Sequence, residues 1–175
     1  MNAAATCGAA TVAVMLITAG CTTLPTLDDV AATGVRVDSV ADGDTLTIRD
    51  TAGFPIVVRL LGIDAPELAH DGHPAECGAQ AAKEALAQLV KGRRVNLLTD
   101  PGSDRTDRYG RLLAYVEELK VGDVAEQLIR HGLVVAWYPT SAARPSRADT
   151  YEQVQRAAEQ SQTGSWTHCP DLAGR

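Results

Sequence analysis

Apolar and polar residues alternate along Val35 to Val40 and again along Thr45 to Ile48, and Asp42-Gly43 sits between the two runs. Period-two alternation around an Asp-Gly step is a strong short-range signature of a β-hairpin, and it commits the front of the chain to an antiparallel sheet. Ile56 to Ile63 follows as a third strand after a turn at Asp50 to Pro55. Arg94 to Leu98 and Leu112 to Val116 read as two more, flanking a polar loop from Asp100 to Gly110 rich in Asp, Arg and Gly.

Helical spacing interrupts and then follows these strands. Ala79, Ala82, Leu86 and Leu89 recur on one face between Gly78 and Val90, and Gly92 stands where that helix would stop. Asp123 to His131 and Ala148 to Gln162 predict two further helices, with Val134 to Tyr138 as a short strand between them. The chain has 175 residues, enough for one domain. The expected class is α+β: a five-stranded β-barrel of the oligonucleotide-binding (OB-fold) type with three packed α-helices.

The first 21 residues carry no charged side chain, and the apolar run that ends at Cys21 is shorter than the roughly 20 residues a membrane span needs. It reads as an export signal. Thr18-Ala19-Gly20-Cys21 resembles a bacterial lipoprotein box, which implies cleavage before Cys21 and lipid attachment to it. No Lys or Arg precedes the run, and Thr18 stands where such boxes have Leu; an ordinary secretory signal is the alternative. The expected location is the outer face of the cytoplasmic membrane, or outside the cell. Residues 22–33 then form a flexible tether, and the folded domain spans 34–175. Export leaves Cys77 and Cys169 as the free pair, and an oxidising compartment favours a disulfide between them; a catalytic thiol is the rival reading.

Lys plus Arg total 16 against 22 Asp plus Glu, a net charge of −6, which excludes a uniformly basic nucleic-acid coat. The imbalance is local: residues 22–90 hold 4 basic and 11 acidic side chains, whereas 91–111 hold 6 and 3. A polyanion would have to meet that second stretch.

Chemistry-bearing residues fall in three clusters. Asp42-Gly43-Asp44-Thr45 is by itself a hairpin turn, although Asp44 could present a carboxylate at the start of the next strand. The run from Arg59 to Glu67 puts a cation, two carboxylates and a Pro turn within nine residues. Carboxylates such as Asp44 and Asp64 repel unless a cation joins them, and oxygen-only ligands favour Ca²⁺ or Mg²⁺, leaving Glu67 as a general base; a surface ion pair of Arg59 is the alternative. Arg105 to Arg111 is dense in arginine, whose planar fork matches phosphate oxygens in pairs, or else it is a solvated turn balanced by Asp107.

Together, Asp-Gly-Asp-Thr, Arg-Leu-Leu-x-x-Asp-x-Pro-Glu and Asp-Arg-Tyr-Gly-Arg in this order resemble the thermonuclease family, from about Val37 to Trp166. The resemblance implies an oligonucleotide-binding barrel with three helices and Ca²⁺-dependent hydrolysis of DNA and RNA to 3′-phosphate ends by a monomer. It implies Ca²⁺ ligation by the Asp44 and Asp64 side chains and the Ala65 carbonyl, where the family commonly has Thr. Asp42 becomes an outer-shell residue. Glu67 matches the residue proposed to activate water, Arg59 and Arg111 the pair that grips phosphate, and Arg108 and Tyr109 positions that bind a neighbouring phosphate. The resemblance also extends to the Cys77 and Trp166-to-Cys169 pattern of exported relatives.

Other readings stay open. Trp137 and Tyr138 could stack on a base or be rim aromatics. His70, His73 and Cys77 form a His-x-x-His-x-x-x-Cys cluster that suggests zinc, and with it a zinc-dependent hydrolase, although a fourth ligand is missing. A membrane-tethered nucleic-acid-binding module without turnover is the non-enzymatic alternative.

Overall fold

The computed structural model describes residues 30–174. Cys21, the apolar leader and most of the expected tether lie outside the described residues. Strands β1 (Val30–Val40), β2 (Thr45–Arg49) and β3 (Pro55–Leu60) form an antiparallel meander. Two-residue β4 (Ile63–Asp64) and helix α1 (Ala79–Val90) follow, then β5 (Arg94–Leu98) and β6 (Leu112–Glu118). Then come β7 (Gly122–Asp123), α2 (Val124–Arg130), β8 (Val135–Ala136) and α3 (Ala148–Gln160), followed by two short 3-10 helices, Gly164–Thr167 and Pro170–Gly174.

β5 pairs antiparallel with the free edge of β1 and with β6, and β6 runs parallel to β3, with Arg59 opposite Leu113. That last ladder closes a five-stranded mixed barrel. Alternate residues Leu46, Ile48, Val58, Leu60, Val95, Leu97, Ala114 and Val116 fill its interior, joined by Leu86 and Val90 of α1 and Leu128 and Ile129 of α2. The expected barrel and its three helices are therefore present.

Four details differ from the sequence reading, each for a local reason. β1 begins at Val30, ahead of the expected domain start at Gly34, because Val30 and Ala32 extend the ladder to Leu98 and Leu97. The third strand stops at Leu60 because Gly62 turns the chain with a φ of +84°, and a Cβ there would lie 3.0 Å from the Tyr151 ring. The released segment pairs elsewhere, as β4 against β8. Val90 rather than Leu89 completes the buried stripe of α1.

The fourth detail concerns Asp42-Gly43, which is not a two-residue turn. The loop from β1 to β2 is closed by the Ala41 N–H donating to the Thr45 carbonyl at 2.9 Å, and Gly43 keeps an ordinary negative φ. Glycine is needed for space, since a Cβ would lie 2.7 Å from the Cβ atoms of both Ala65 and Ala82. The hairpin tip thereby rests directly on the segment after β4 and on α1.

A polar network fastens α3 to the barrel. Asp100 accepts from the Tyr115 hydroxyl and the Ser146 N–H, while Arg147 pairs with Glu117 and Asp123, and the Tyr151 hydroxyl donates to Asp123. Cys77, just before α1, is disulfide-bonded to Cys169 near the end of the chain. No helix among the described residues is long and apolar enough to cross a membrane.

Candidate active site

The close seat of Gly43 brings the start of β2 against the end of β4, and so Asp44 against Ala65. Asp44 is only 6% exposed. Its Oδ1 accepts from the Thr45 hydroxyl at 3.0 Å and its Oδ2 from the Ala65 N–H at 2.8 Å, while its own N–H donates to Asp42 Oδ1. Arg59, opposite Thr45 in the β2–β3 ladder, reaches both carboxylates: one terminal nitrogen lies 2.9 Å from Asp44 Oδ2 and the other 2.9 Å from Asp64 Oδ1. It also donates to the Leu60 and Ile63 carbonyls. Arg59 is thus not a surface ion pair but a largely buried bracket between two strand ends. Its Nε–H takes no part in these bonds.

The electrostatics of this cluster are unbalanced. Three carboxylates, Asp42, Asp44 and Asp64, face one guanidinium, so full ionisation leaves a surplus of two negative charges. Burial pushes the Asp44 carboxyl up to about 7 against the pull of Arg59, and Asp42 adds to the rise. With the Ala65 carbonyl in the adjoining segment, the donors are all oxygen. Donor chemistry and uncompensated charge both fit a hard divalent cation such as Ca²⁺.

Glu67 is exposed and sits just beyond the rigid Ala65-Pro66 step. Its backbone is clasped: the Glu67 N–H donates to Glu76 Oε2 at 2.7 Å, and the Glu76 N–H donates to the Glu67 carbonyl at 2.9 Å. The loop between them is therefore a closed excursion ending beside the Cys77 disulfide.

Arg111 approaches from the other side of the barrel seam. It immediately precedes β6, whose Leu113 is the register partner of Arg59, so the chain delivers Arg111 to the seam close to the β3 end that carries Arg59. Asp107 organises this loop. Its Oδ1 accepts the N–H groups of Tyr109 and Arg111, and its Oδ2 takes Arg111 Nε at 2.6 Å. Burial opposes the charged form of Asp107, yet the hydrogen bonds from Arg111 and Tyr109 outweigh it and lower the carboxyl below its usual value. Tyr109 is 68% exposed, with the guanidinium carbons of Arg108 and Arg111 at 4.7 and 5.4 Å from its ring centre.

The remaining expectations divide. The Trp137 backbone N–H donates to the Gly62 carbonyl, and the residue stays 40% exposed beside the β4–β8 pair that carries Asp64. The Tyr138 hydroxyl accepts from Arg144. The Cys77 sulfur is spent in the disulfide, so the His70-His73-Cys77 zinc set does not assemble and neither cysteine is a free thiol. Thr45, Asp107 and Glu76 take positioning roles the sequence reading did not assign. Thr45 and Asp107 lay inside the motifs, whereas the Glu76 contact spans nine positions with no pattern to mark it.

Residues 57–168 match the family model described as staphylococcal nuclease homologue. A protein named Thermonuclease from Staphylococcus intermedius is 34% identical over 145 residues, covering 79% of each chain. Proteins named Probable endonuclease lcl3 from Aspergillus flavus and LCL3 from Coccidioides posadasii are 32% and 30% identical, over 67% and 75% of this chain. The chain spans about half the length of these fungal relatives, 46% and 50%.

Proposed function

The chain belongs to the staphylococcal nuclease homologue family, and from that membership we propose that it is a calcium-dependent, extracytoplasmic endonuclease. It hydrolyses phosphodiester bonds of DNA and RNA, leaves 3′-phosphate ends and acts as a monomer. The observation that carries the reading is Arg59 bracketed by Asp44 and Asp64, with Arg111 entering the β3–β6 seam one residue ahead of Leu112. Ca²⁺ would be held by the Asp44 and Asp64 carboxylates and the Ala65 carbonyl, and when bound it supplies charge neutralisation and polarises the scissile phosphate.

The chain's own residues do the rest. Arg59, fixed by four acceptors, keeps its Nε edge for a phosphate oxygen, and Arg111, fixed by Asp107, offers a second cation. Attack of water on phosphorus builds negative charge on the non-bridging oxygens. Cations immobilised beforehand hold that charge better than they hold the ground state, and this difference is what accelerates the step. The Glu67 carboxylate accepts the proton of the attacking water, with its backbone steadied by Glu76. The phosphorus bond to the 5′ oxygen breaks, that oxygen takes a proton from solvent and leaves as a hydroxyl, and the phosphate stays on the 3′ side. Arg108 and Tyr109 bind the neighbouring phosphate. Support for export comes from the uncharged leader before Cys21 and from the disulfide, which belongs to oxidising compartments; lipid at Cys21 would hold the domain at the outer face of the cytoplasmic membrane.

The test is cleavage of single-stranded and duplex DNA with Ca²⁺ or chelator, beside Arg59→Ala and Glu67→Ala. The expected result is Ca²⁺-dependent cutting that falls at least ~100-fold in each variant. A folded, oxidised protein that binds DNA under all conditions and never cuts it would instead be the non-catalytic binding module.

A further inference from the structure

The loop between Glu67 and Glu76 carries a feature that the nuclease reading does not use. His70 and His73 face each other across a two-residue turn: the His73 N–H donates to the His70 carbonyl at 2.7 Å and the His70 N–H returns to the His73 carbonyl at 3.2 Å. The central residues Asp71 and Gly72 both have positive φ, +44° and +83°, which is the type I′ geometry that matches strand twist. Directly opposed residues of an antiparallel pair put their side chains on the same face. The two imidazole centres are 5.7 Å apart, and both rings are exposed.

The geometry points to a two-histidine site for a borderline divalent transition metal, Zn²⁺ or Cu²⁺, at this hairpin tip, separate from the carboxylate cluster. An ion 2.0–2.1 Å from a ring nitrogen sits about 3.2 Å from that ring's centre, so two imidazoles on one tetrahedral ion have centres about 5 Å apart. The observed spacing is within a small side-chain rotation of that value. His70 is also prepared for the task. Its Nδ1 lies 2.9 Å from the Leu68 carbonyl, an acceptor only, so in the neutral ring the proton sits on Nδ1 and the lone pair on Nε2. Metal-binding histidines are oriented by this same second contact. Imidazole donors suit Zn²⁺ and Cu²⁺, whereas Ca²⁺ takes oxygen, so the tip and the Asp44–Asp64 cluster select different ions.

Zinc chloride is the probe, titrated calorimetrically into the oxidised full chain with its remaining thiols alkylated, with imidazole proton resonances followed in parallel. One Zn²⁺ per chain is expected, with the resonances of His70 and His73 moving together. His70→Ala and His73→Ala should each weaken binding at least ~10-fold, because either change leaves a single imidazole. Circular dichroism checks that both variants stay folded, and excess Ca²⁺ should leave Zn²⁺ in place. Unchanged affinity in both variants, displacement by Ca²⁺, or no saturable site would overturn the assignment. None of these readouts depends on cleavage, so the site stands or falls apart from the nuclease reading.

Discussion

Asp44 carries a charge that its surroundings balance only in part, and its stability consequence has a definite sign. Between the ordinary value of 3.8 and about 7 the folded protein holds a proton that the unfolded chain has released. In chelator, raising the pH through that window therefore lowers the unfolding free energy. Asp44→Asn should remove this decline and stabilise the metal-free protein near about pH 8 by roughly 1–3 kcal/mol, measured by urea unfolding. Added Ca²⁺ should restore the wild type at that pH and leave the variant unchanged. Gly43 is constrained by space instead. Gly43→Ala should cost about 1–3 kcal/mol by forcing the tip off Ala65 and Ala82, and Ala82→Gly in the same chain should recover part of it. Glu76 acts through Glu67: Glu76→Ala should lower kcat about 10-fold with little change in KM, while Glu76→Gln, which keeps an oxygen to accept the Glu67 N–H, should retain most of the activity.

Strands with one buried face declare themselves by alternation, which is why β2, β5 and β6 and the three helices were legible within a residue or two. The break after Leu60 was not, because Ile56 to Ile63 is a nearly continuous apolar run interrupted only by Arg59 and Gly62, and the Tyr151 ring beneath Gly62 comes from far along the chain. Pairing partners are equally silent in a single strand. Nothing in Val58 to Leu60 specifies that Leu112 to Ala114 will lie parallel beside them. At the site, the motifs marked Asp44, Arg59, Asp64 and Arg111 by type, but the bracket that Arg59 forms between two carboxylates depends on the fold. So does the Asp100–Tyr115–Ser146 network, assembled from three separate segments. The disulfide belongs to this scale as well. It closes a separation of 92 residues and holds the start of α1 to the C-terminal turn, so Cys77→Ser with Cys169→Ser should lower stability by about 2–5 kcal/mol in chemical denaturation.

For the molecule as a whole, a net charge of −6 means that affinity for a polyanion rests on a few local cations. Each phosphate contact to a single strand contributes about 0.7 to the slope of log affinity against log salt. In a Glu67→Gln background with Ca²⁺, where substrate binds without being cut, Arg108→Ala should flatten that slope by about 0.7 and weaken binding alike for all sequences. The parallel seam between β3 and β6 has a wider consequence. Arg59 and Arg111 stand on opposite sides of it and far apart in the chain, so they meet only when the barrel shuts. Such long-range pairings are costly to form, since loop closure must precede any reward. A chain whose seam is still open holds two scattered cations and no phosphate grip. Until folding shuts that seam the protein is latent, and any nucleic acid it meets before then is spared by geometry alone.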